Sequence, residues 1–116
     1  MATIKSYTDI EQSHKLAGIL PNESADMHSE AVDDEGDMVF IIVDGLGDKT
    51  KPNYGSPVWS LAALLDVLPN GTNISTPDPL NKVRYSCWND YDITYASNPI
   101  DACVAMIERL HELKML

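Results

Sequence analysis

The chain has 116 residues, 44% of them hydrophobic, which supports one modest core and predicts a single domain over 1–116. Eight Lys plus Arg against eighteen Asp plus Glu give a formal charge of −10, which repels phosphate backbones and anionic membranes and leaves attraction to a basic protein surface open. No run approaches the roughly 18 apolar residues of a membrane span, and Met1 to Tyr7 lack the apolar centre of a signal peptide, so the expected location is the cytoplasm.

Thr8-Asp9-Ile10-Glu11 reads as a capping box opening a helix to about Leu20, where Pro21 stops it. From Glu23 to Asp37 come Glu23, Asp26, Glu30, Asp33, Asp34, Glu35 and Asp37, seven acids in fifteen residues without a Lys or Arg. Like charges in a block repel, which favours a solvated loop. Held rigidly, the same acids would form an anionic face able to imitate phosphates. An EF-hand fails, because no Gly stands at the sixth position and no Glu at the twelfth.

Met38 to Val43 is a continuous β-branched and aromatic run, read as a buried strand leaving into the Asp44-Gly45 turn. The segment I-I-V-D-G-L-G-D resembles the first strand of the alkaline phosphatase and cofactor-independent phosphoglycerate mutase superfamily. That resemblance implies Asp44 as a ligand for a divalent metal, and with it the alternative of a metal-dependent enzyme or metal-binding protein. Two-metal chemistry needs further Asp and His ligands, and the one histidine that follows, His111, lies inside the terminal helix.

Ser56 and Pro57 look like the cap and first residue of a helix reaching Leu68, apolar nearly all round and therefore expected at the centre, with Trp59 in the core. Gly71 to Asn81 reads as a loop. A hairpin follows, with Val83, Tyr85 and Cys87 alternating with Arg84, Ser86 and Trp88. An odd loop over 89–91 would set Cys87 opposite Ile93 and Tyr85 opposite Tyr95, leaving Trp88 exposed with Arg84, Ser86, Asp92 and Thr94. The clearest element is the last. Asn98 caps it, Pro99 opens it, and Cys103, Met106, Ile107, Leu110 and Leu113 form an apolar stripe. Cys87 and Cys103, not spaced as Cys-x-x-Cys, are expected to be buried reduced thiols.

Three blocks, Y-T-D-I-E-Q-S-H-K-L-A-G-I-L-P-N-E-S-A-D-M, P-V-W-S-L-A-A-L-L-D-V-L-P and N-P-I-D-A-C-V-A-M-I-E-R-L-H-E-L, resemble small proteins carried by phages and mobile elements of gut bacteria. The resemblance implies a bacterial host and a setting in which short accessory proteins disable a host enzyme, acidic ones by occupying its nucleic-acid groove, as several anti-CRISPR proteins do.

The expected fold is α+β in the order α-β-α-β-β-α, a small antiparallel sheet packed against helices. That order echoes a double-stranded-RNA-binding domain, but Asn98-Pro99-Ile100-Asp101 replaces the Lys-rich helix start such domains use on phosphates. The expected function is a non-catalytic, acidic interaction protein without a cofactor. Its partner would be a protein with a basic surface, met through Glu23, Asp26, Glu30, Asp33, Asp34, Glu35, Asp37 and Trp88.

Overall fold

The computed structural model describes residues 5–76 and 84–116, and over these the chain is α+β, with helices beside two three-stranded antiparallel sheets. In chain order the elements are α1 (Ile10–Ala17), a 3-10 turn (Asn22–Ser24), β1 (Met27–Asp34), β2 (Asp37–Asp44), β3 (Tyr54–Val58), α2 (Leu61–Val67), β4 (Asn73–Ser75), β5 (Tyr85–Trp88), β6 (Ile93–Ala96) and α3 (Pro99–Glu112). The first sheet runs β2-β1-β3 and the second β4-β5-β6, so the single sheet expected from the sequence is replaced by two. The expectations for Met1 to Ile4, for the loop over 77–81 and for Val83 lie outside the described residues.

The terminal helix forms as its sequence dictates. Asn98 Oδ1 accepts the Asp101 N–H at 2.9 Å, and Pro99 occupies the first turn, where its missing donor costs nothing. Ile100, Cys103, Met106, Ile107 and Leu110 are fully buried, but Leu113 caps the end of the helix and is exposed. The core joins this face of α3 to Leu16 and Leu20 around α1, to Trp59, Leu64 and Leu68 around α2, and to Cys87 of β5.

Both upstream helices start later than the sequence suggests. The capping box of α1 is Asp9 with Gln12, one residue beyond the expected pair; Gln12 N–H donates to Asp9 Oδ1 and Asp9 N–H donates to Gln12 Oε1. Thr8 is drawn inward instead, where its hydroxyl meets Ser13 Oγ and accepts the Trp59 N–H. Ser56 and Pro57 belong to β3. Pro57 pairs with His28 on an edge strand, where a missing N–H is tolerated, and Ser60 takes over as helix cap, accepting the Ala63 N–H. With its start moved, α2 buries only Ala63 and Leu64 fully and leaves Ala62 exposed, so it is a one-sided helix rather than a central one.

The β5–β6 register also differs from expectation. Cys87 faces Thr94, Tyr85 faces Ala96 and Trp88 faces Ile93. Asn89 Oδ1 accepts the N–H groups of Tyr91 and Asp92, and Asn89 N–H donates to Asp92 O, so the turn closes around Asp90 and Tyr91. Cys87 and Thr94 therefore point at α3, where the Thr94 hydroxyl donates to Ala102 O. Ile93 and Tyr95 turn outward beside Trp88.

The apolar core takes no residue from β1 or β2, although His28 and Ser29 of β1 are buried. The radius of gyration is 15.3 Å, against about 13 Å for a compact domain of this length, and the extents are 47 × 37 × 20 Å. Within the β1–β2 hairpin, no residue of β2 is fully buried.

Candidate interaction site

β1 pairs with β2 without interruption from Met27↔Asp44 to Asp34↔Asp37. Two residues, Glu35 and Gly36, close the hairpin, with φ of 53° and 89°, the left-handed pair that a type I′ turn requires. The Gly36 N–H also donates to Asp33 Oδ1 at 3.1 Å. The acidic run is thus ordered hairpin rather than loop, and its tip gathers Asp33, Asp34, Glu35 and Asp37, all exposed. None of the four enters an ion pair among the described residues.

The other three acids are placed elsewhere. Glu23 stands exposed in the 3-10 turn, at the base of the hairpin beside Leu46, Asp48 and Lys49. Asp26 holds the start of α2, accepting the Ser60 N–H at 2.9 Å and the Ser60 hydroxyl at 2.5 Å. Glu30 is engaged with His28, whose Nε2 lies 2.5 Å from Glu30 Oε2. The His28 ring is buried, stacked on Tyr54 at 5.8 Å, and its Nδ1 is 2.7 Å from Gly45 O. A carbonyl and a carboxylate both accept, so the imidazolium, which donates from both nitrogens, suits this site best. The Glu30 carboxylate and then the Gly45 carbonyl raise the His28 pKa above its ordinary value, against the opposing effect of burial.

Trp88 lies on the other sheet. It is 41% exposed, and its Nε1 donates to Ser75 Oγ at 2.9 Å. Ile93 and Tyr95 share its outward face, and the Arg84 guanidinium sits 5.9 Å from the centre of the Tyr95 ring. Asp44, the residue that the phosphatase resemblance singles out, is the exposed last residue of β2, opposite Met27. Among the described residues no group of three or more His, Cys, Asp or Glu is placed to hold a metal ion. Cys87 and Cys103 are free and fully buried; the Cys87 sulfur, and then burial, push the Cys103 thiol up, away from nucleophilic use.

The feature the sequence hides is the exposure of β2. The run read as a buried strand is an edge strand, with Met38 70%, Phe40 49% and Ile41 43% exposed. A continuous apolar run fits a central strand and an unpartnered edge equally well. The distinguishing signal was Glu35-Gly36, a possible hairpin turn that would have tied β2 to an acidic neighbour instead of a core.

Comparison with protein-family models, curated proteins and solved structures returns no match to the chain. No helix among the described residues is long and apolar enough to cross a membrane.

Proposed function

We propose that the protein is a non-catalytic interaction protein that presents the acidic tip of the β1–β2 hairpin to a partner with a basic surface. The observation that carries this reading is the gathering of Asp33, Asp34, Glu35 and Asp37 at the exposed tip of the hairpin, with no counter-charge paired to them among the described residues. An unpaired anionic tip on a chain of charge −10 steers toward cationic grooves and raises the rate of encounter. Grooves of that kind are what enzymes handling nucleic acid offer, and a hairpin seated in one would exclude the nucleic acid, which is the inhibitory mode proposed here for a bacterial host or defence enzyme.

The test is capture from a bacterial lysate with wild type and a variant carrying Asp33→Lys, Asp34→Lys, Glu35→Lys and Asp37→Lys, read by mass spectrometry. The variant should stay folded with a cooperative melt, since the four side chains are exposed and only the Asp33 bond to the Gly36 N–H is lost, but should lose basic partners. Capture should also fall steeply toward about 0.5 M salt, where the Debye length is roughly 4 Å. Identical partner lists, or salt-insensitive capture, would reject the charge-guided mechanism.

A further inference from the structure

The open edge of β2 goes beyond the acidic tip. In an antiparallel ladder, the N–H and C=O of one residue point to the same side, so each residue bonds one neighbour strand only. Two hydrogen bonds fix which residues of β2 are free. Ala31, opposite Phe40, donates its N–H away from β2 to Asn53 O at 2.8 Å, and Gly45 N–H donates to Asp26 O across the hairpin at 2.9 Å. The odd-numbered residues of β2 therefore bond to β1, while Met38, Phe40, Ile42 and Asp44 aim their backbone groups at an edge that no strand among the described residues covers.

Natural edge strands are usually blunted by Lys, Pro, a bulge or a covering segment. Between Met38 and Val43 there is no charge and no proline, and the β1–β2 register runs without a bulge. The side chains are not free of the sheet, however. The Phe40 ring reaches across the small residues of β1 to Gly55 of β3, where an added Cβ would come within 3.0 Å of it. The Phe40 side chain is thus anchored on the sheet while the backbone edge beside it stays unpaired among the described residues.

We propose that β2 pairs with β2 of a second copy of this chain, antiparallel about a two-fold axis, joining two three-stranded sheets into one of six strands. A two-fold normal to the sheet keeps each face continuous, so it must lie between the strands midway between two copies of one residue, not level with a peptide between two residues. Phe40 and Ile41 are the two centres that oppose five apolar residues to five: Met38 to Ile42 about the first, Val39 to Val43 about the second. In both, the bracketing acids avoid each other. About Phe40, Asp37 faces Val43 and Asp44 faces Gly36; about Ile41, Asp37 faces Gly45 and Asp44 faces Met38. This self-complementary pattern, apolar in the middle with acids displaced at both ends, is what selects a second copy over a foreign strand.

Self-association of a chain of charge −10 is opposed by repulsion, so it should strengthen as salt is raised, the reverse of capture by the acidic tip. Sedimentation equilibrium of the full chain from micromolar to submillimolar concentration, at about 0.05 and about 0.5 M salt, should show the weight-average mass rising toward twice the monomer's, and further at high salt. Ile41→Lys should hold the mass at the monomer's. Met38→Pro should do the same by removing one outward N–H that pairs with nothing among the described residues, and because Met38 is so exposed the variant should keep the wild-type melt. With the native thiols buried, either Phe40→Cys or Ile41→Cys should give a disulfide-linked dimer on mild oxidation, whichever marks the axis, while Glu35→Cys at the tip should not. A monomeric mass throughout at both salt concentrations, or dimerisation undiminished in both Ile41→Lys and Met38→Pro, would overturn the proposal without bearing on the acidic tip.

Discussion

His28 and Glu30, two residues apart on β1 and therefore on one face of the sheet, meet at 2.5 Å with the imidazole fully enclosed and the carboxylate partly so. The folded state holds the His28 proton more tightly than the unfolded chain does, because Glu30 and the Gly45 carbonyl both take a hydrogen bond from the charged ring. Its contribution is fully present below about pH 6.5, the unfolded value, and is lost as pH rises through the higher folded value. Urea midpoints should therefore fall on going from pH 6 to pH 9. His28→Gln should flatten that slope and cost about 2 kcal/mol at pH 6, the scale of a hydrogen bond to a charged group. A pH slope unchanged in His28→Gln would refute the assignment.

On the acid side several carboxyls, Asp9, Asp92 and Asp101 among them, are held low, and Asp101 in the first turn of α3 is the one that ties two helices together. Burial pushes its carboxyl up, but Lys5 at 2.9 Å, Gln12 at 2.7 Å and Asn98 at 2.8 Å outweigh it and hold the pKa below the usual value. A lowered folded value means stability that is present above about pH 3.8 and lost as pH falls through the folded pKa. Because the carboxylate is about a third exposed, Asp101→Asn should cost only about 1 kcal/mol at neutral pH, and the difference from wild type should shrink in acid.

The core responds to a different change. Leu110 is fully buried, whereas Leu61, at the start of α2, is half-buried. Leu110→Asp should abolish the cooperative melt, while Leu110→Ala should cost about 3 kcal/mol by leaving a cavity. Leu61→Asp should be milder than Leu110→Asp, and equal losses would contradict the one-sided packing of α2.

These positions show where the sequence was legible. α3 could be read to within a residue of its start because cap, proline and stripe agreed, and each is a local signal. α2 starts four residues beyond the expected place because Ser56-Pro57 and Ser60 offer rival starts. The choice between them rests on Asp26, thirty-four residues upstream of Ser60, which no local pattern reveals. β1 was hidden by its acids: Glu30 is neutral to the sheet only because His28 faces it, and Asp33 and Asp34 only because the tip is in solvent. For β2 the composition was right and the burial wrong, since apolarity specifies that a surface wants cover and not which surface provides it.

Gly47 and Gly36 separate close approach from backbone conformation. Both have positive φ, but an added Cβ at Gly47 would lie 2.6 Å from the His28 ring, whereas at Gly36 it meets nothing within 4 Å. Gly36→Ala should cost about 1 kcal/mol from the backbone alone. Gly47→Ala should cost clearly more and should also blunt the pH slope described for His28, because the ring must move away from Gly45 or Glu30.

Glu35 tests whether the tip is shaped for stability or for contact. Its φ of 53° places a long side chain in the left-handed region, where Asn is tolerated better and where Asn-Gly is the most favoured pair for a two-residue hairpin. Glu35→Asn should therefore stabilise the hairpin, by about 0.5 kcal/mol, and remove one of four neighbouring carboxylates that repel one another. Hydrogen exchange across β1 and β2 should slow accordingly. If the tip exists to meet a basic surface, the same substitution should weaken capture of the partner while tightening the free protein, a separation of the two properties that a purely structural turn would not show. Faster exchange in the hairpin of Glu35→Asn would mean that the carboxylate supports the turn, and a tighter hairpin with undiminished capture would mean that Glu35 takes no part in contact.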